Sequence, residues 1–147
     1  MTRQTDALEY RLRTETEPTR LSEVRRNVSA CLDLWGLAPM CGDVCIVATE
    51  LLSNVHKHAG GGPADVSLWY PFGDILWLLV SDSSASAPIV RDPDIETTSG
   101  RGMKVIAGLT EYWHVLPTRT GKIVACRFTV PAHLLPTRRE ALKRCLP

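Results

Sequence analysis

Residues 50–59, Glu-Leu-Leu-Ser-Asn-Val-His-Lys-His-Ala, form the stretch that constrains the fold most tightly. They complete a run that begins near Pro39, in which apolar residues recur every three or four positions, as on the buried side of a helix. The Gly-Gly-Gly-Pro run that follows ends this helix, because Gly accepts left-handed dihedral angles and Pro cannot continue a helix. Glu50, Asn54 and His58 are four residues apart, so the sequence predicts that they share one side of the helix and interrupt its apolar surface.

The patterns around this helix predict an α+β domain. Apolar and polar residues alternate over 7–14, which indicates a strand, and the helical spacing between Pro18 and Gly36 indicates a first helix. The later segments are, in order, two strands, a loop, a helix, two strands and a basic helical tail: 64–70, 74–81, 83–99, 100–109, 111–116, 122–130 and 136–145. Strands that follow one another commonly pair, so we expect a two-layer sandwich, in which a mixed, mostly antiparallel sheet is covered by helices on one face. The strand at 74–81 is apolar on both faces and is predicted to be central.

Length and charge limit the possible classes of protein. A chain of 147 residues predicts one domain, because domains usually have about 100–200 residues. Seventeen Lys and Arg residues against sixteen Asp and Glu residues give a formal net charge of +1, so we expect no direct binding to nucleic acid. No apolar run approaches the ~18 residues of a membrane helix, and the polar first 17 residues do not resemble a signal peptide. We therefore expect a cytoplasmic protein that does not enter the membrane.

The five cysteines show no Cys-x-x-Cys spacing: Cys31, Cys41, Cys45, Cys126 and Cys145. No pair of histidines at zinc-finger spacing accompanies them, so we expect no structural metal site. In a reducing compartment these residues are expected to be small buried apolar side chains or free thiols.

The polar residues of the central helix suit a site for a metal ion and a phosphate group. An amide oxygen such as that of Asn54 is a hard ligand of the kind that Mg²⁺ prefers, and Mg²⁺ takes few protein ligands. The carboxylate of Glu50, one turn away, could orient or deprotonate a nucleophile. The alternative is a solvated polar stripe in which Asn54 and His58 serve as polar groups at the helix end.

Two further motifs carry chemistry. Asp82 follows the most apolar strand, where an acid is desolvated unless something pairs with it, and its carboxylate could accept a hydrogen bond from the exocyclic amine of adenine. Alternatively, Asp82 initiates a turn and caps the loop backbone. Gly100-Arg101-Gly102 opens a helix, so a phosphate could approach the backbone and meet the first N–H groups. The alternative is a plain joint between loop and helix.

In this order and spacing, the motifs resemble those of the Bergerat-fold ATP-binding superfamily. Residues 50–59 resemble the Asn-bearing box of that superfamily, Asp82 resembles its adenine-binding Asp, and residues 100–103 resemble the glycine box at the end of its ATP lid. The size of the chain matches the small bacterial anti-sigma regulatory serine/threonine kinases. The resemblance extends over about residues 8–130 and leaves 131–147 as a C-terminal tail.

The resemblance implies ATP and Mg²⁺ as cofactors. It implies that Glu50 is the catalytic base or water-orienting group and that Asn54 binds Mg²⁺. The residues that it implies for nucleotide binding are Asn54, His58, Asp82, Ser84, Gly100, Arg101, Gly102 and Met103. Ser84 departs from the family pattern, because the position two residues after the Asp is usually Gly. A side chain there restricts the backbone and weakens the expected adenine pocket.

The resemblance also implies protein partners. Such kinases usually phosphorylate a Ser or Thr of an anti-anti-sigma protein, and a sigma factor is the alternative partner. A homodimer is expected as well, with the first strand and the first helix as candidate contacts. Two other functions stay open: a non-catalytic, nucleotide-gated module that sequesters a protein partner, and a domain that binds a different small molecule in the same cleft.

Overall fold

A computed structural model of the chain describes residues 7–58, 60–71, 73–83 and 99–135, with the backbone alone at residues 58 and 99–101. The main elements, in chain order, are β1 (Leu8–Glu15), α1 (Leu21–Leu34), α2 (Cys41–His58), β2 (Pro63–Tyr70), β3 (Ile75–Asp82), α3 (Ser99–Leu109), β4 (Tyr112–Pro117) and β5 (Lys122–Thr129). Short 3₁₀ turns precede α1 and α2 and follow β5. The predicted loop interior, the helical tail from residue 136, Ser84 and Cys145 lie outside the described residues.

The five strands form one sheet in the order β1-β2-β3-β5-β4. The predicted α+β class is confirmed, and all four strand pairings among the described residues are antiparallel rather than mixed. Strand β3 is central, as its apolar sequence predicted. It pairs with β5 and not with β4, because the chain crosses through α3 and the β4–β5 hairpin then places its second strand against β3.

One face of the sheet packs on the helices. Alternate residues of β2 and β3 are buried on this inner face, among them Val66, Leu68 and Leu78, and they join a single core with the apolar stripes of α1 and α2. The outer face carries half-buried Trp77 and exposed Trp69. The apolar residues on both faces of β3 therefore reflect a central strand that the described helices cover on one side only.

The end of α2 follows the chemistry of its sequence. Gly60, Gly61 and Gly62 all have positive φ, between 80° and 90°, a conformation that residues with a side chain rarely adopt. The N–H of Gly61 donates to the carbonyl oxygen of Val55 and so satisfies one carbonyl near the helix end. The chain then turns directly into β2, which fixes where the polar stripe of α2 ends.

The remaining sequence expectations concern membranes and thiols. Within the part of the chain that the structure describes, no helix is both long enough and apolar enough to cross a membrane. The four described cysteines are free thiols, of which Cys31, Cys45 and Cys126 are buried and Cys41 is half-buried. These four fit the prediction of small buried side chains or free thiols.

Candidate functional site

The polar stripe of α2 lies against the first turn of α3. The amide nitrogen of Asn54 donates to the sulfur of Met103 at 3.7 Å. Gly102 is buried beside Asn54 and Glu50, and a Cβ atom there would lie 2.8 Å from Glu50 Oε2 and 3.8 Å from Asn54 Oδ1. The structure thus brings Glu50 and Asn54 together with Gly102 and Met103, which lie about fifty positions later in the sequence.

The geometry of this contact suits a hard cation. One carboxylate oxygen and one amide oxygen face the space that a side chain at Gly102 would fill. Because the amide nitrogen of Asn54 is turned toward Met103, its oxygen is turned toward Glu50 and Gly102. Oxygen ligands are those that Mg²⁺ prefers, and it completes its shell with water and phosphate. The donor set fits Mg²⁺. Among the described residues, no group of three or more His, Cys, Asp and Glu side chains could hold a metal ion.

A second group of residues surrounds the end of β3. Asp82 is the last residue of the strand and lies on its inner face with Val80. Its Oδ2 forms a salt bridge with Lys122 Nζ at 2.8 Å. The side chain of Asp82 is only 3% exposed and that of Lys122 is 15% exposed. Lys122 is the partner of Asp82 in the antiparallel β3–β5 register. The buried acid therefore has the cationic partner that its burial requires.

Gly121 brings the β4–β5 turn against the same strand end. A Cβ atom at Gly121 would overlap the carbonyl oxygen of Asp82 and touch the backbone of Ser83. Only a residue without a side chain allows this approach. The turn is also closed by the N–H of Thr118, which donates to the carbonyl oxygen of Gly121 at 2.9 Å. The position of Lys122 beside Asp82 thus depends on its glycine neighbour.

Several of the predicted site residues are only partly described. Gly100 and Arg101 lie in the first turn of α3, as the glycine-rich motif predicted, and His58 is the last residue of α2. The side chains of His58 and Arg101 are outside the described part of the chain, as is the whole of Ser84. Their predicted roles in nucleotide binding stay predictions.

Lys122 is the site residue that sequence reasoning missed. In the sequence pattern, Lys122 is only the first residue of the last predicted strand. One signal could have found it, because a buried acid at the end of a central strand requires a partner, and a lysine directly after a turn glycine is well placed to supply one. The pairing itself depends on β5 lying beside β3, which is not a local property of the sequence.

Comparison with known proteins identifies the family of the chain. A family model described as the histidine kinase-like ATPase domain matches residues 14–128, which is most of the chain and includes both groups of site residues. No curated protein is similar enough to the sequence to count as a match. Domains of this kind bind ATP, and the matched region contains Glu50, Asn54, Asp82 and the glycines of α3. The chain therefore belongs to the family of histidine kinase-like ATPase domains.

Proposed function

We propose that this ATPase domain is a serine/threonine protein kinase that acts as an anti-sigma regulator. Its substrate would be a Ser or Thr of an anti-anti-sigma protein, and phosphorylation would switch the partner that it holds. The contact of Glu50 and Asn54 with Gly102 and Met103 is the observation that supports this proposal most directly. Glu50, the proposed base, and Asn54, the proposed metal ligand, lie beside the first turn of α3, where we expect the phosphates to bind.

Each of these residues has a distinct part in the proposed transfer. Asn54 Oδ1 would hold Mg²⁺, which when bound neutralises charge on the phosphate oxygens. Glu50 would accept the proton of the attacking hydroxyl group or hold that hydroxyl group in line. The backbone around Gly102 would approach the phosphates closely, because no side chain intervenes. Most of the rate would come from positioning and from charge neutralisation.

Asp82 would select the base. A carboxylate that is paired with an ammonium group accepts hydrogen bonds and donates none. It therefore suits the exocyclic amine of adenine. The proposed complex also includes a homodimer through β1 and α1, and we propose that the protein works in the cytoplasm.

The first test is calorimetric titration with ATP in Mg²⁺ and in EDTA. We expect binding that Mg²⁺ strengthens, a loss of that gain in Asn54→Ala, and loss of ATP binding in Asp82→Asn. Asp43→Asn is the matched control, because Asp43 lies exposed in the first turn of the same helix, far from the stripe. Absence of binding at millimolar ATP in the unmodified protein would contradict the proposal.

The second test addresses catalysis. Candidate anti-anti-sigma proteins are incubated with the protein and radiolabelled ATP, and the label on Ser or Thr is measured. Glu50→Gln is expected to lower transfer by about 10²-fold or more while it keeps ATP affinity within about threefold. Transfer that survives Glu50→Gln would rule out the assigned role of Glu50. ATP binding with no transfer to any candidate would favour the non-catalytic binding module.

A further inference from the structure

The salt bridge between Asp82 and Lys122 is built into the sheet. The two residues are direct partners in the β3–β5 register, and both side chains lie on the inner face, where they are 3% and 15% exposed. The bond between Lys122 Nζ and Asp82 Oδ2 measures 2.8 Å, which is typical of a charge-assisted hydrogen bond. An exposed ion pair holds its side chains loosely, but a buried pair on two hydrogen-bonded strands holds them in one geometry.

We propose that Lys122 is a positioning residue for base selection, which rests on the proposed ATP site. Lys122 holds the Asp82 carboxylate as an acceptor that faces the base, so the pocket selects a purine that carries an amine at C6. A carboxylate has about four acceptor positions, so it can take a bond from the lysine and another from the amine of the base. Lys122 acts through Asp82 and makes no contact with the reacting phosphate.

The close approach of Gly121 supports this assignment. Gly121 packs on the backbone of Asp82 and Ser83, so the residue that follows it has little freedom to move away from the end of β3. The same approach limits movement of the Asp82 backbone. The acceptor is therefore fixed from two sides, by the ammonium group on its side chain and by the turn on its main chain. Preorganised acceptors discriminate strongly, because a ligand with the wrong group leaves a buried polar atom unpaired.

The test compares ATP with inosine triphosphate, which carries a carbonyl oxygen at C6 in place of the amine. In the unmodified protein we expect ATP to bind at least about tenfold more tightly. In Lys122→Met the carboxylate loses the ammonium group that holds it in this geometry, so we expect the ratio of the two affinities to fall below about threefold. Lys122→Arg restores the positive charge and is expected to recover most of the ratio.

Two further variants separate positioning from general damage. Arg119→Met removes an exposed cation from the same β4–β5 turn and is expected to keep the full ratio. A loss of stability lowers both affinities together, whereas the ratio reports on the base alone. Circular dichroism establishes that each variant is folded. If Lys122→Met does not fold, Lys122→Gln takes its place. Gln keeps a hydrogen-bond donor but lacks the charge, so we expect a smaller fall in the ratio.

The outcomes distinguish the two proposals. An unmodified protein that binds neither nucleotide overturns both the ATP site and the role of Lys122. An unmodified protein that prefers ATP, together with a folded Lys122 variant that keeps the same ratio, overturns the role of Lys122 alone. A fall in the ratio for the Lys122 variant, with recovery in Lys122→Arg and no change in Arg119→Met, supports both.

Discussion

At the scale of single residues, the candidate site depends on an absent side chain as much as on the polar groups present. Gly102 lets the first turn of α3 lie against Glu50 and Asn54, and its hydrogen atom occupies the place where a Cβ atom would meet the Glu50 carboxylate. The atom that a Cβ would meet is the far end of a flexible side chain, which can rotate away. A substitution at Gly102 should therefore lower phosphoryl transfer strongly while it changes the free energy of unfolding only slightly.

Gly102→Ala tests this separation. We expect the free energy of unfolding to change by no more than about 1 kcal/mol, since a helical alanine offsets the displacement of Glu50. We expect phosphoryl transfer to fall by about tenfold or more, because small misplacements of catalytic groups are costly. Urea denaturation and transfer assays measure the two effects. Gly108→Ala in the same helix, where a Cβ meets nothing within 4 Å, is the control and should raise stability by about 0.5–1 kcal/mol. Unchanged transfer in Gly102→Ala would refute the proposed site.

At the scale of secondary structure elements, helix α2 and the paired strands β3 and β5 contribute to the core and also position the candidate site. Helix α2 has an apolar side in the core and a polar stripe toward α3, so one element connects stability with chemistry. Strand β5 supplies Lys122 to the end of β3, and the glycine turn before it fixes the approach. Substitutions on the apolar side of α2 should therefore lower stability, whereas substitutions in its polar stripe should lower activity.

Leu52→Ala tests the apolar side of α2. Leu52 is fully buried, so the substitution removes apolar contacts and leaves a cavity, and we expect a loss of about 2–5 kcal/mol in the free energy of unfolding. Ile46→Ala in the same helix is the control, because Ile46 is 45% exposed, and should cost about 1 kcal/mol or less. Urea denaturation of both variants provides the comparison. Equal losses would contradict the described packing of α2.

Gly121→Ala tests the turn between β4 and β5. The new Cβ atom would meet backbone, which cannot rotate away as a side chain can, so the turn must move from the end of β3. We expect a loss of about 1–3 kcal/mol and a lower melting temperature. Gly73→Ala, in the turn between β2 and β3, meets no atom within 4 Å and should leave the melting temperature nearly unchanged. A Gly121→Ala variant as stable as the Gly73→Ala variant would argue against the close approach.

At the scale of the whole molecule, burial in the core makes folding sensitive to alkaline pH. Burial raises the pKa of the Cys126 thiol from 9.0 to about 12. Burial also raises the pKa values of Cys41, Tyr10 and Tyr70. The folded chain keeps the Cys126 thiol neutral at pH values where the unfolded chain releases its proton. The stability that this thiol contributes is therefore complete below pH 9 and is lost as the pH rises toward 12.

Cys126→Val isolates that contribution. Above pH 9 the unmodified protein should lose up to about 1.4 kcal/mol per pH unit through this one group, and the variant should lose correspondingly less. Urea denaturation at pH 7, 9 and 10.5 measures both curves. The free energies of unfolding of the two proteins should change in parallel between pH 7 and pH 8.5 and should diverge above pH 9. Curves that stay parallel at pH 10.5 would show that the thiol is not shielded as described.

Local patterns in the sequence account for the elements of the fold and for part of the candidate site. The helical period before residue 59 and the glycines after it defined α2, and the alternation of apolar residues defined the inner face of the strands. The four-residue spacing of Glu50 and Asn54 places them on one side of a helix whatever the tertiary contacts are. These are local properties, because dihedral preferences and periodicity act over a few residues.

The tertiary structure sets which distant residues meet. It placed Gly102 and Met103 on the polar stripe of α2, and it paired Lys122 with Asp82 by inserting β5 between β3 and β4. Strand order is set by how the whole sheet buries its apolar face against the helices, and that free energy is shared among all of the elements. No short stretch of sequence specifies the strand order. The pairing of Lys122 with the buried Asp82 therefore depends on the whole folded chain.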